Sequence, residues 1–149
     1  MVHEVSLTQQ QAFELAFAAL WKQNERCLVD GVCRYRGTDG TKCAVGHLIP
    51  DEDYEPEWDN RTDPKVTSLD VIRLIVGKVH DFRDLPIFFL QRMQQEMHDE
   101  LSSPDFRRKL LIAAKNFAHA RSLHFTQDDI VRLTESCDYT SLFDECPDG

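Results

Sequence analysis

Five stretches of the chain repeat apolar residues at the three- and four-residue spacing of an amphipathic helix. In SLTQQQAFELAFAALWKQN the stripe is Phe13, Ala16, Phe17, Leu20 and Trp21, and Thr8 with Gln11 three residues on forms a capping-box pattern. SLDVIRLIVGKVHDF is apolar almost all round (Leu69, Val71, Ile72, Leu74, Ile75, Val76, Val79), which suits a buried helix or a central strand. Its length and the Thr67–Asp70 capping pattern favour the helix. LPIFFLQRMQQEMHDEL puts Pro86 in a first helical turn and aligns Phe89, Leu90, Met93, Met97 and Leu101. SPDFRRKLLIAAKNFAHARSL offers Ser103 as cap, Pro104 at the first helical position and Asp105 in the first turn, with a stripe of Phe106, Leu110, Ala113, Ala114, Phe117 and Ala118. FTQDDIVRLTES starts with Thr126 as cap and Asp129 three residues on.

Between the first two helices the pattern changes. VCRYRGTDGTKCAVG has short runs with strand formers around Asp39-Gly40, a pair suited to the positive φ angles of a type I′ turn. A two-residue turn there sets Arg36 opposite Cys43, whereas a three-residue loop at 37–39 sets Cys33 opposite Cys43; the pattern alone leaves the register open. The fold class expected is mainly α (α+β), about five helices around one short β-hairpin at roughly 32–46. A chain of 149 residues has the length of a single globular domain.

Charge adds two features. The net charge is −9, and it is concentrated in an acidic loop at 51–63, DEDYEPEWDNRTD, and in an acidic C-terminal tail over 137–149, whose last residues are expected to fray. The rest of the chain is close to neutral. Direct nucleic-acid binding is disfavoured, because it draws on basic patches that displace phosphate counterions; a protein partner with a basic surface fits better. No apolar run approaches the ~18 residues of a membrane span, and the start MVHEVSLTQQQ has no basic and apolar leader pattern. A cytoplasmic protein is expected, so the five cysteines (Cys27, Cys33, Cys43, Cys137, Cys146) are read as thiols or metal ligands before disulfides.

The run CRYRGTDGTKCAVGHLIPDEDY resembles the signature of a family of small uncharacterised phage and bacterial proteins. Its members carry a Tyr-Arg-Gly, Asp-Gly, Lys-Cys-Ala, Gly, Leu-Ile-Pro-Asp run after an N-terminal helix. The resemblance covers roughly residues 7–60. It implies a phage or mobile-element context, and hence a host cytoplasm, with no activity to carry over.

The same run invites three chemical readings. Cys27, Cys33, Cys43 and His47 are four soft ligands that would suit tetrahedral zinc, although the C-x5-C-x9-C-x3-H spacing is that of no zinc finger or knuckle and lacks a CxxC pair. Zinc is the one cofactor this set would take; buried ordinary thiols are the plainer reading. A thiol hydrolase would use Cys33 or Cys43 as nucleophile, His47 or His98 as base and Asp99 or Asp51 as orienter, with Cys43, His47 and Asp51 the central combination. An EF-hand over 51–62 is rejected, because Pro56 stands at the glycine position and Thr62 at the bidentate Glu position. His80-Asp81 and His98-Asp99 lie near helix ends, where the dipole alone favours histidine. GTDGTK lacks the spacing of a phosphate-binding loop.

Arg34, Tyr35 and Arg36 on the hairpin, with Asp51, Asp53, Tyr54, Glu55, Glu57 and Trp58 in the acidic loop, form a candidate binding surface, since Tyr, Trp and Arg are enriched at interface hot spots. The function expected is binding of another protein, for example as a phage-type regulator or inhibitor of a host protein. The alternatives are a thiol- or metal-dependent hydrolase centred on Cys43 and His47, and a zinc-stabilised structural module.

Overall fold

A computed structural model describes residues 6–29, 32–60, 65–102 and 104–134. The fold is mainly α. Helix α1 (Gln9–Gln23) begins with the expected capping box: the Gln11 N–H donates to Thr8 Oγ1 at 3.0 Å and the Thr8 N–H to Gln11 Oε1 at 2.9 Å. It ends at Asn24 in the left-handed region, φ 58°. Helix α2 (Ser68–Lys78) has the same reciprocal cap from Thr67 and Asp70, which resolves the helix-or-strand ambiguity toward helix. Only one side of it is buried, through Val71, Ile72 and Ile75, while Leu74 is exposed. Helix α5 (Gln127–Thr134) is capped by Thr126 and Asp129 as expected.

Two helix starts differ from expectation. Helix α3 (Ile87–Gln94) has Pro86 at its cap rather than in its first turn. Helix α4 (Phe106–Ala120) begins two residues later than its composition suggested. Its cap is Asp105, in the left-handed region at φ 63° and without a side-chain cap bond, so Pro104 precedes the helix; Ser103 lies outside the described residues.

The apolar stripes meet in one core. Phe13 and Phe17 of α1 contact Phe125 edge-on, with centroids 5.0 and 4.9 Å apart, and Phe13 stacks on Phe117 of α4 at 5.9 Å. Phe89, Leu90, Met93, Met97 and Leu101 are all buried, as their spacing requires.

The segment between α1 and α2 departs most from the expected hairpin. Strands β1 (Leu28–Val29) and β2 (Val32–Cys33) pair antiparallel, two residues each. The arms of the 33–46 run touch at one further bridge, Arg36 opposite Lys42. This register matches neither expectation: the Cys43 N–H reaches the Tyr35 carbonyl at 3.3 Å, so Cys33 and Cys43 do not face each other across the arms. The turn is not type I′, since Gly40 has a positive φ (88°) and Asp39 does not. Instead Asp39 Oδ1 accepts from the Thr41 N–H and hydroxyl at 3.3 and 2.7 Å, and the Gly37 N–H closes a wider loop on the Thr41 carbonyl at 2.8 Å. The returning arm then sinks into the core as short 3₁₀ turns, with Cys43, Ala44, Val45, Leu48 and Ile49 buried. Gly46 is required there: a Cβ on it would stand 2.0 Å from the Tyr35 carbonyl oxygen.

Buried irregular backbone must find hydrogen-bond partners, and two helix-end glutamines supply them. Gln23 accepts from the Lys42 N–H and donates to the Lys42 carbonyl, both at 2.8 Å. Gln94 Oε1 accepts from the Val45 N–H at 2.9 Å.

Candidate ligand-binding site

Helix α3 does not stop at Gln94. It widens into a π-helical turn over Gln95–Asp99, in which the Glu100 N–H bonds back to the Gln95 carbonyl at 2.9 Å. Single π turns often mark functional sites. This one holds His98, fully buried, against Cys27 and Asp99. The Cys27 backbone N–H points at His98 Nε2 (2.8 Å), so that nitrogen is the acceptor and the ring proton resides on Nδ1. Nδ1 then donates to Asp99 Oδ1 at 2.8 Å, and Gln94 Nε2 donates to the same oxygen at 2.9 Å. The Cys33 sulfur lies within 4.8 Å of both the His98 ring and the Asp99 carboxylate. A chain of hydrogen bonds thus ties Cys27, just before β1, and the buried 43–46 turn to the end of α3.

Cys33 and Asp99 form one end of a cleft of about 280 Å³ between the 33–35 arm and helices α2 and α3. Arg34 lines it from the arm, Ser68 from α2, and Gln91 and Gln95 from α3. Arg34 donates to the Asp59 backbone carbonyl, and its buried Nε has no hydrogen-bond partner among the described residues. Asp59, also in the wall, is fully engaged: its carboxylate accepts from the Tyr35 and Arg36 N–H groups at 2.8 and 3.1 Å and from the Tyr54 hydroxyl.

The predicted metal set is corrected by these contacts. Cys27 Sγ donates to the Thr41 carbonyl at 3.4 Å, Cys43 Sγ accepts from the Gly46 N–H at 3.3 Å, and His47 Nε2 meets Gln23 Oε1 at 2.9 Å. Each is committed to a different structural partner. Among the described residues the group that gathers ligand atoms is Cys33, His98 and Asp99, all within 4.8 Å of one another. It is a poor cradle for a cation. A metal on His98 Nδ1 would move the proton to Nε2, where it would face the Cys27 N–H, donor against donor, whereas metal-bound histidines direct that proton at an acceptor.

The predicted catalytic combination is corrected in the same way. Cys43 is fully buried, and desolvation pushes its thiol well above the ordinary range. Burial, with Lys42 nearby, lowers His47 to about 4. Asp51 stands at the surface, paired with Arg36 at 2.9 Å and Lys42 at 3.7 Å. In the combination that does converge, Cys33, His98 and Asp99, the His98 Nδ1 proton is spent on Asp99 and Nε2 on the Cys27 amide, so the imidazole is not available as a base to the sulfur. Burial and the Asp99 carboxylate raise Cys33 to about 11, which keeps it a thiol rather than a nucleophilic thiolate.

The candidate binding surface is also rearranged. Tyr35 and Trp58 are buried, with 7% and 5% exposure, and Tyr54 is half-buried with its ring edge-on to Trp58 at 5.9 Å. Arg36 crosses the Tyr54 ring at 4.5 Å, donates to the Ile49 carbonyl at 2.9 Å and pairs with Asp51. Glu55 pairs with Lys78. The aromatics therefore anchor the loop inward, because two rings beside an apolar core gain more from burial than from water. Of the acidic loop, residues 61–63 lie outside the described residues, as does the tail over 137–149.

The glutamines were not anticipated, although a signal for them exists. Gln91, Gln94, Gln95 and His98 recur at helical spacing, a stripe of uncharged hydrogen-bonding groups beside the apolar stripe of the same helix. No family model, curated protein or solved structure matches this chain. Among the described residues no helix is long and apolar enough to cross a membrane.

Proposed function

We propose that this protein binds a small polar molecule in the cleft between the 33–35 arm and helices α2 and α3. One observation carries the reading: the cleft holds hydrogen-bonding capacity that the fold leaves unspent. The side chains of half-buried Gln91 and Gln95, and of exposed Ser68, make no hydrogen bond among the described residues although all three line the cleft. A ligand rich in donors and acceptors would bond to them. A volume of about 280 Å³ is at the small end of ligand pockets, roughly 300–1,000 Å³, which points to a metabolite rather than a peptide. The protonated thiol and doubly bonded imidazole support binding rather than turnover.

The test is a ligand-observed and protein-observed NMR screen of small polar metabolites against the whole chain, repeated with Gln95→Leu. Binders should perturb Ser68, Gln91 and Gln95 in the native protein and lose affinity in the variant at unchanged melting temperature. A screen in which nothing perturbs the cleft would defeat the proposal.

A second reading, docking of a basic partner protein, retains the exposed acids Asp51 and Glu57 as its contact. With Trp58 and Tyr54 turned inward it rests on charge alone. It predicts a complex that dissolves as salt approaches ~1 M, where screening acts within about 3 Å.

A further inference from the structure

We infer that the molecule bound in the cleft is a small zwitterion of the amino-acid class, its carboxylate on Arg34 and its ammonium group on Asp99. The inference rests on the cleft-binding reading and adds the ligand's charge pattern.

Two unlike charges, Arg34 and Asp99, share this small cavity without pairing with each other. Arg34 is bonded to a backbone carbonyl, that of Asp59, and has no carboxylate partner among the described residues. Arg34 lines the cleft, and a carboxylate is the group that matches its planar guanidinium fork. The Asp99 carboxylate accepts from two neutral donors, the His98 Nδ1–H and the Gln94 amide. Arg26, a cation on that side, spends its NH1 on the Asp99 backbone carbonyl at 3.2 Å, not on the carboxylate. Both line the cleft, Arg34 from the hairpin arm and Asp99 from the π turn of α3.

Both residues are half-buried, Asp99 with 34% of its side chain exposed, and no salt bridge joins them. One molecule carrying both opposite charges would pair each of them. The uncharged groups of Ser68, Gln91 and Gln95 would then meet the remainder of the ligand, favouring a polar, amide-like side chain over an apolar one.

The experiment is isothermal titration of the full chain with L-glutamine and L-alanine, each beside an analogue lacking the amine and an analogue lacking the carboxylate. Chemical-shift mapping reports where each one binds. The expected result is that a zwitterion binds at least tenfold more tightly than either of its single-charge analogues. In Arg34→Gln the zwitterion should fall to the level of the analogue without the carboxylate, and in Asp99→Asn to that of the analogue without the amine. The amide oxygen introduced by Asp99→Asn can still accept the His98 proton, and the analogue series on the native protein stands without either variant. If the single-charge analogues, or neutral propionamide, bind the cleft as tightly as the zwitterions, the zwitterion inference fails while cleft binding survives. If no probe perturbs the cleft, both fail together.

Discussion

The loop over 51–59 and the helix end over 94–99 put polar residues to opposite uses. The loop is dense in acids and aromatics, and the fold spends most of them on itself. Asp59 receives two backbone N–H groups, Trp58 is buried and Tyr54 lies under Arg36. The helix end reads as an ordinary polar stretch, QQEMHD, yet its side chains enter a buried network and a cleft, and Gln95 makes no side-chain hydrogen bond among the described residues. What separates the two is how much hydrogen-bonding capacity remains after folding. Residue types that are common at interfaces carry no such information until their partners are known.

Four experiments would break or sharpen this contrast. The largest effect is expected for Trp58→Ala, which should cost about 3–5 kcal/mol in urea unfolding, the usual range for removing a buried large aromatic. A loss below ~1 kcal/mol would return Trp58 to the surface and with it the partner-docking loop. Next comes the thiol of the helix-end network. With Cys33 at about 11, roughly a thousandth of it is thiolate at pH 8, about a hundredfold less than for a cysteine of ordinary pKa near 9. Because the raised value favours the protonated form, alkylation of Cys33 by iodoacetamide, followed by peptide mass, should climb steadily from pH 8 toward 11; rapid labelling at pH 7 would contradict the network.

His98→Ala should cost about 2 kcal/mol, since it leaves the buried Cys27 N–H without its acceptor. Hydrogen exchange would show that amide losing protection, and unchanged stability would make the network incidental. The smallest effect belongs to Asp51→Asn. The side chain of Asp51 is 81% exposed despite its two ion pairs, so stability should change by less than about 0.5 kcal/mol. A larger loss would mean that the acidic loop depends on its charges as much as on its rings.

Much of the helical frame is legible in the chain. The capping boxes at Thr8, Thr67 and Thr126 and the stripe from Phe89 to Leu101 act locally, and local rules suffice to find them. The start of α4 is less so, because Ser103-Pro104-Asp105 fits a cap equally well at two places. The hairpin register lies beyond local reading. It is set by Asp59, Gln23 and Gln94, which bond to its backbone from 19 to 49 residues away. The site is half legible for the same reason. Cys33, His98 and Asp99 can be named as candidates, but which of the many cysteine, histidine and acid combinations meet depends on a turn wider than the α-helical repeat, which no residue in QQEMHD dictates.

That wider turn also sets the phase of everything beyond it. A π turn amounts to one residue more than an α-helix needs, and one residue of α-helix is about 100° of rotation. A chain shortened by one residue at Gln95 would close this turn to a regular helix and leave the residues beyond it in nearly their present phase, because the wide turn absorbs the extra residue. The same residues wound as an α-helix without that deletion would carry His98 and Asp99 round to another azimuth, away from the Cys27 amide and the cleft. In this stretch of the chain, spacing is information in its own right: the π turn is what lets one extra residue enter the helix without reassigning every side chain beyond it.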